Sequence, residues 1–208
     1  MKDEASIGIR PFQTNDVLNL LSAARESMAE LQLWLPWCHP DFSLADSLDF
    51  VMSCGEDWAA GRKYRFAIYD RADGAFVGSI GLNEVNRLHG FANLTYWVRS
   101  SRTGQGIAST GIRLVAPIAF EQLHLNRLQL VIAMGNRASI RVAEKVGAHR
   151  EGVLGDRILF RGRPEDAVMY SLLAEDRRWE PEPQAGRAWN TFARNGFAGE
   201  QEAVEYVS

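Results

Sequence analysis

The chain has 208 residues and a formal net charge of −3, the size of one ordinary domain with an appendage. An apolar share of 46% is that of a chain with a core, and the mild acidity argues against nucleic acid or an anionic membrane surface as partner. Two cysteines, Cys38 and Cys54, are too few for a disulfide framework or zinc cluster; with no signal peptide in residues 1–10 and no bilayer-length apolar run, a soluble cytoplasmic protein is expected.

Residues 7–11 read as a short strand, with Ile7 and Ile9 alternating. Thr14 or Asn15 is placed to cap a helix from about Asp16, its apolar stripe running through Val17, Leu20 and Leu21. Prolines at 36 and 40 make residues 31–40 an irregular loop carrying Trp34 and Trp37. Ser43 or Asp46 starts a helix that takes Leu48, Val51, Met52 and Trp58 towards Gly61. Residues 64–70 (YRFAIYD) alternate as a strand, and Asp73-Gly74 turns the chain into 75–82. After a connection at 86–90, residues 91–99 (FANLTYWVR) hold the aromatic and β-branched residues that a sheet favours.

Gly104 and Gly106 interrupt the pattern before a helix over 107–124. Pro117 inside it should cost about 3 kcal/mol unless a kink absorbs it. Residues 127–133 (RLQLVIA) form a strand with Leu128, Leu130 and Ile132 on one face. Asn136 opens a helix that Gly147 closes, and a last hairpin covers 152–173, turning at 161–164. Beyond Glu175 a Glu-Pro-Glu-Pro run at 180–183 breaks the pattern, leaving a tail with Trp189, Phe192 and Phe197. The fold class is mixed α/β (α+β), with helices interleaved among hairpins. The domain is assigned to residues 1–174 and the tail to 175–208, packed on the domain or at a subunit interface.

The richest segment is 98–110, VRSSRTGQGIAST. A strand ends, two glycines permit sharp turning, and a helix starts at once. Free amides at such a start, with the positive end of the helix dipole, form an anion site that a pyrophosphate fits. The alternative is a glycine-rich connection that holds no ligand. A Walker A loop is excluded because Ile107, not lysine, follows the last glycine. A dinucleotide fingerprint is excluded because Ser109 stands where Gly or Ala is needed, and because several strands precede the turn.

With its helix behind it, TGQGIA at 103–108 resembles the pyrophosphate loop of the GNAT superfamily. Asn136-Arg137-Ala138-Ser139, followed by Glu144-Lys145-Val146-Gly147, is similar to that family's second coenzyme A element. Leu82, the YWV triplet at 96–98 and MYSLL at 169–173 look like the RimJ/RimL branch, whose members acetylate protein N-termini. The resemblance covers roughly residues 7–174. It implies a mixed, mostly antiparallel sheet flanked by helices, with a splayed central strand pair. It also implies an acetyl-CoA-dependent N-acetyltransferase acting on a primary amine, foremost a protein or peptide α-amine.

By that resemblance Val98 pairs through its backbone with the pantetheine arm and offers an amide to the oxyanion. The turn residues Thr103, Gly104, Gln105, Gly106, Ile107, Ala108 and Ser109 hold the pyrophosphate. Thr103 stands where the family has Arg or Gln, so Arg102 is assigned the positive charge. Asn136 bonds the pantetheine amide and also caps its helix. Ser139 is the candidate acid, since Ala143 occupies the family's usual tyrosine position; its bland alternative is a helix residue bonding backwards. Asn93 and Ile158 fill the family's customary carboxylate positions, leaving Glu84 as the candidate base, against a solvated hairpin charge. Trp34 and Trp37 line the acceptor pocket or serve as packing anchors. Four scattered histidines suggest no metal. A homodimer is allowed. The rival readings are a small-molecule amine acceptor such as an antibiotic or aminoacyl nucleotide, a non-catalytic coenzyme A-binding module, and an interaction protein using its aromatic tail.

Overall fold

The computed structural model describes residues 6–35, 37–160 and 162–176. The strands are β1 (Ile7–Pro11), β2 (Tyr64–Asp70), β3 (Phe76–Asn86), β4 (Phe91–Val98), β5 (Arg127–Ala133), β6 (His149–Phe160) and β7 (Arg163–Leu173). The α-helices among the described residues are α1 (Val17–Glu26), α2 (Met28–Leu31), α3 (Leu44–Ala59), α4 (Ile107–Pro117) and α5 (Arg137–Lys145). One sheet runs in the order β1-β2-β3-β4-β5-β7-β6. Its neighbours are antiparallel except β4 and β5, which run parallel.

That parallel contact is short. Phe91, Ala92 and Asn93 pair with Arg127, Leu128 and Gln129, and there the pairing stops. Residues 94–98 and 130–133 continue in separate partnerships, β4 with β3 and β5 with β7. The expected splayed pair is therefore present, in a mostly antiparallel sheet.

Strand alternation divides the core in two. Phe66, Ile68, Ile80, Leu94, Leu128, Leu130 and Tyr170 point to one face, where α4 supplies Ile112 and Val115 and the turn behind it Ala119. On the other face Ala67, Phe76 and Trp97 meet Val17, Leu20 and Ala23 of α1 and Val51 and Cys54 of α3. This division gives the opening between β4 and β5 two distinct sides.

Local chemistry explains several element ends. Ser43 accepts from the Asp46 amide while Asp46 accepts from the Ser43 amide at 2.8 Å, a reciprocal cap that starts α3. Gly147 (φ 77°) ends α5 as expected. The Ala148 amide reaches the Ala143 carbonyl and that of Gly147 the Glu144 carbonyl, which together satisfy the last turn.

The start of α1 departs from the sequence reading. Neither Thr14 nor Asn15 caps it. Buried Asp16 accepts from Arg10 at 2.6 and 2.7 Å and from the Gln13 amide at 2.8 Å. A forked guanidinium on a buried carboxylate outweighs a neutral cap. Pro117 is also resolved. The helix widens into a π-helical turn over Ile118–Gln122, with the Leu123 amide on the Ile118 carbonyl. Widening accommodates the ring and the missing amide hydrogen where a regular helix would kink.

Among the described residues, no helix is long and apolar enough to cross a membrane. The tail residues 177–208, with Trp189, Phe192 and Phe197, lie outside the described residues.

Candidate active site

Behind β4 the chain makes a short 3-10 turn (Ser100–Arg102) and then enters α4. Gly104 and Gly106 have φ of 74° and 85°, in the left-handed region that L side chains resist. Gly106 precedes the helix without a side-chain cap, and the Thr110 amide is the first to bond back to its carbonyl, at 3.0 Å. The amides of Ile107, Ala108 and Ser109 thus come before the first helical bond. A Cβ built on Gly104 would meet nothing within 4 Å, so the turn opens outward.

The side chains of this turn have separate tasks. The Ser109 hydroxyl donates to the Gly106 carbonyl at 2.8 Å, and that of Thr103 to the Ser100 carbonyl at 2.9 Å. Ser109 therefore offers its amide rather than its hydroxyl. The guanidinium of Arg102, the residue assigned the positive charge, lies 3.5 Å from Asp70 and 3.6 Å from Asp73. Asp70 is buried and needs a countercharge. Lys145 of α5 is a second cation at the turn, with its Nζ 3.4 Å from where a Cβ on Gly106 would sit.

The opening between β4 and β5 has polar edges. The Arg99 amide bonds to the Val77 carbonyl at 2.9 Å. Alternation along an antiparallel pair then turns the Tyr96 and Val98 amides away from β3, towards the gap. From across it, α5 presents Asn136 and Ser139. Asn136 Oδ1 accepts from the Ser139 amide at 3.1 Å, which is its capping role. Its side-chain nitrogen makes no bond to another described residue, nor does the Ser139 hydroxyl. The Tyr96 hydroxyl reaches the Ser139 carbonyl at 3.3 Å, and burial pushes this phenol up to about 12. Ala143 is fully buried, so the space of the missing tyrosine is core.

The two tryptophans part company. Trp34 stacks on Phe160 with centroids 5.1 Å apart, and a Cβ on Gly135 would meet it at 3.6 Å. It stands beside the connection that delivers Asn136. Trp37 instead packs among Phe42, Phe50 and Trp97 against the smaller core, the packing-anchor alternative for this residue.

Glu84 stands exposed at a bulge where the β3–β4 register shifts, with φ of 51°. Nothing about this setting marks it as a base. We expect Glu84→Gln to hold kcat/KM within about twofold, the range for surface substitutions, with an unchanged pH profile. A steep loss near neutral pH would restore its candidacy. Cys38 and Cys54 are buried free thiols, and burial raises Cys54 to about 11, which suits packing rather than nucleophilic attack.

Glu165 escaped the sequence reading. Phe160, Arg163, Pro164 and Glu165 line a pocket of about 580 Å³. The partner of Ile158 across the hairpin is Glu165. Glu165 Oε2 and Asn93 Oδ1 are buried without a hydrogen-bond partner among the described residues. Only the strand register could have pointed to Glu165. No cluster of three metal-ligating side chains occurs among the described residues.

A split sheet beside a phosphate-ready helix start makes a cleft for a long ligand that carries phosphate at one end. The chain belongs to the GNAT acetyltransferase domain family, whose model matches residues 6–149. It is 36% identical over 110 residues to "Putative ribosomal N-acetyltransferase YdaF" of Bacillus subtilis (strain 168), covering 53% of this chain and 59% of that protein. It is 28% identical over 109 residues to the spermidine N(1)-acetyltransferase of Vibrio cholerae serotype O1, covering 52% and 62%. Each match spans less than two thirds of the relative's own length. Mycobacterium smegmatis RimJ, solved in complex with CoA-disulfide, shares the fold with a TM-score of 0.75 at 24% identity, covering 89% of this chain and 88% of that one.

Proposed function

We propose that the protein is an acetyl-CoA-dependent N-acetyltransferase whose acceptor is the α-amine of a protein or peptide. The observation that carries this reading is the abrupt end of β4–β5 pairing at Asn93 and Gln129, with the glycine turn at the mouth of the gap. Acetyl-CoA supplies the acetyl group as a thioester. The amides of residues 107–109 and the Lys145 ammonium receive its pyrophosphate. The Tyr96 and Val98 amides and the Asn136 side-chain nitrogen hold the pantetheine arm as a neighbouring strand would. Val98 also offers its amide to the carbonyl oxygen, and Ser139 hands a proton to the departing sulfur. A cytoplasmic setting and a homodimer belong to the same reading.

Two considerations favour a single α-amine over a polyamine. Arg163 lines the same pocket as Glu165, and a polycation would bring further ammonium groups against it. Neutralising an α-ammonium also costs less, since its pKa lies near ~8 against ~10.4 for lysine. With acetyl-CoA at pH 7, a peptide bearing one free α-amine should exceed its matched ε-amine counterpart in kcat/KM by at least about tenfold, part of the roughly hundredfold difference in neutral fraction. Preference for the ε-amine or for spermidine would overturn the acceptor assignment. Thiol release that no amine stimulates would return the chain to a coenzyme A-binding module.

A further inference from the structure

We propose that Glu165 receives the acceptor's ammonium group and takes its proton, in the pocket that it shares with Phe160, Pro164 and Arg163. The inference rests on the N-acetyltransferase reading and names the group that prepares the amine.

Three observations carry it. Glu165 Oε2 is buried with no hydrogen-bond partner among the described residues, an arrangement that calls for a donor from outside the chain. The other oxygen, Oε1, would lie 3.9 Å from a Cβ on Gly135, the residue before Asn136. This brings the carboxyl beside the connection into α5, which carries Ser139 at its first turn. A pocket opens on the same residue, and the Trp34–Phe160 stack provides an aromatic wall beside it. An ammonium group satisfies an orphaned carboxylate oxygen and is also attracted to aromatic faces.

Several described residues surround this carboxyl. From β6 it meets Ile158 across the register and Phe160 in the pocket. From the β5–α5 connection it meets Gly135, and Trp34 stands at that glycine too. None of these is ionisable. Among the described lining residues, Arg163, two residues back on the same strand, is the other charged group. It carries no ion pair with another described residue.

The step balances. The ammonium loses one proton to Glu165, which releases it to solvent. The freed nitrogen lone pair forms the N–C bond to the thioester carbonyl. As the C–S bond breaks, its electron pair leaves on sulfur. The nitrogen's second proton replaces the one that sulfur takes from Ser139. The products are an amide, a free thiol and one proton.

Glu165→Gln keeps the shape and removes the basicity, and Glu165→Asp restores a carboxylate. Rates are measured with acetyl-CoA and an α-amine peptide from about pH 6 to pH 10, with coenzyme A affinity measured by calorimetry as the control for folding. The glutamine variant should lose about a hundredfold in kcat/KM at pH 7. The loss should shrink as pH passes the amine's own pKa near ~8. Coenzyme A affinity should stay at the wild-type value, and the aspartate variant should recover part of the rate. A glutamine variant within about twofold of wild type, or a loss that is equal at every pH, would overturn the role of Glu165 while leaving the acetyltransferase reading intact. A wild-type protein that acetylates no amine would instead overturn that reading, and this role with it.

Discussion

Replacing Gly106 with valine is expected to weaken coenzyme A binding by roughly a hundredfold while the fold survives. The size follows from losing one charge-assisted hydrogen bond of up to about 3 kcal/mol, where each 1.4 kcal/mol is about tenfold in affinity. Gly106 sits at φ 85°, which a β-branched residue adopts only under strain. Its Cβ would also press within 3.4 Å of Lys145 Nζ, a cation at the turn. Relief of either contact rotates the amides of Ile107 and Ala108 away from a bound phosphate. The strain of about 1–2 kcal/mol is small beside ordinary domain stability of about 5–15 kcal/mol, so the variant should fold. Gly104→Val separates the causes. Its Cβ meets nothing within 4 Å, so any loss there reports backbone conformation or collision with the ligand itself. Calorimetry on both variants, with circular dichroism to verify folding, is the measurement. Unchanged affinity in two folded variants would remove the anion cradle from the argument.

Ser139→Ala is expected to lower turnover by about a hundredfold, as loss of a general acid does, and to leave coenzyme A affinity within about twofold. The amide of Ser139 is held by Asn136, so deleting the hydroxyl leaves the cap in place. Tyr96 is the nearest rival for the proton. Its hydroxyl already donates to the Ser139 carbonyl at 3.3 Å, and burial holds it at about 12. A phenol so placed braces α5 across the gap. Normal turnover in Ser139→Ala, measured by thiol release at saturating acetyl-CoA, would pass the proton to Tyr96 or to water.

Features that depend on a few successive residues were legible in the sequence. The β5 segment with its alternating Leu128, Leu130 and Ile132, the Asn136 cap, the Gly147 end of α5 and the glycine turn all appear as read. Each follows from backbone preferences and hydrogen bonds that close within one turn of chain. The capping residues before α1 were misread because Asp16 answers Arg10, on the preceding strand, rather than its own helix.

Partner choice between distant segments was decided only by the tertiary structure. Arg102 is adjacent to the glycine turn in sequence, yet a guanidinium on a flexible stem goes to the strongest local field, and buried Asp70 supplies it. Lys145 reaches the turn only because α4 and α5 pack side by side. Trp34 and Trp37 are three residues apart, but one stacks on Phe160 while the other enters the core with Trp97. Glu165 reads in sequence as one more charge near a hairpin turn. Register sets it opposite Ile158, and packing leaves one oxygen buried and unanswered. Composition and spacing determined the fold class and the phosphate-ready turn, because those are local properties of the backbone. Which side chains converge beside Gly135 was decided by the sheet, because burial and register join residues that the chain holds far apart.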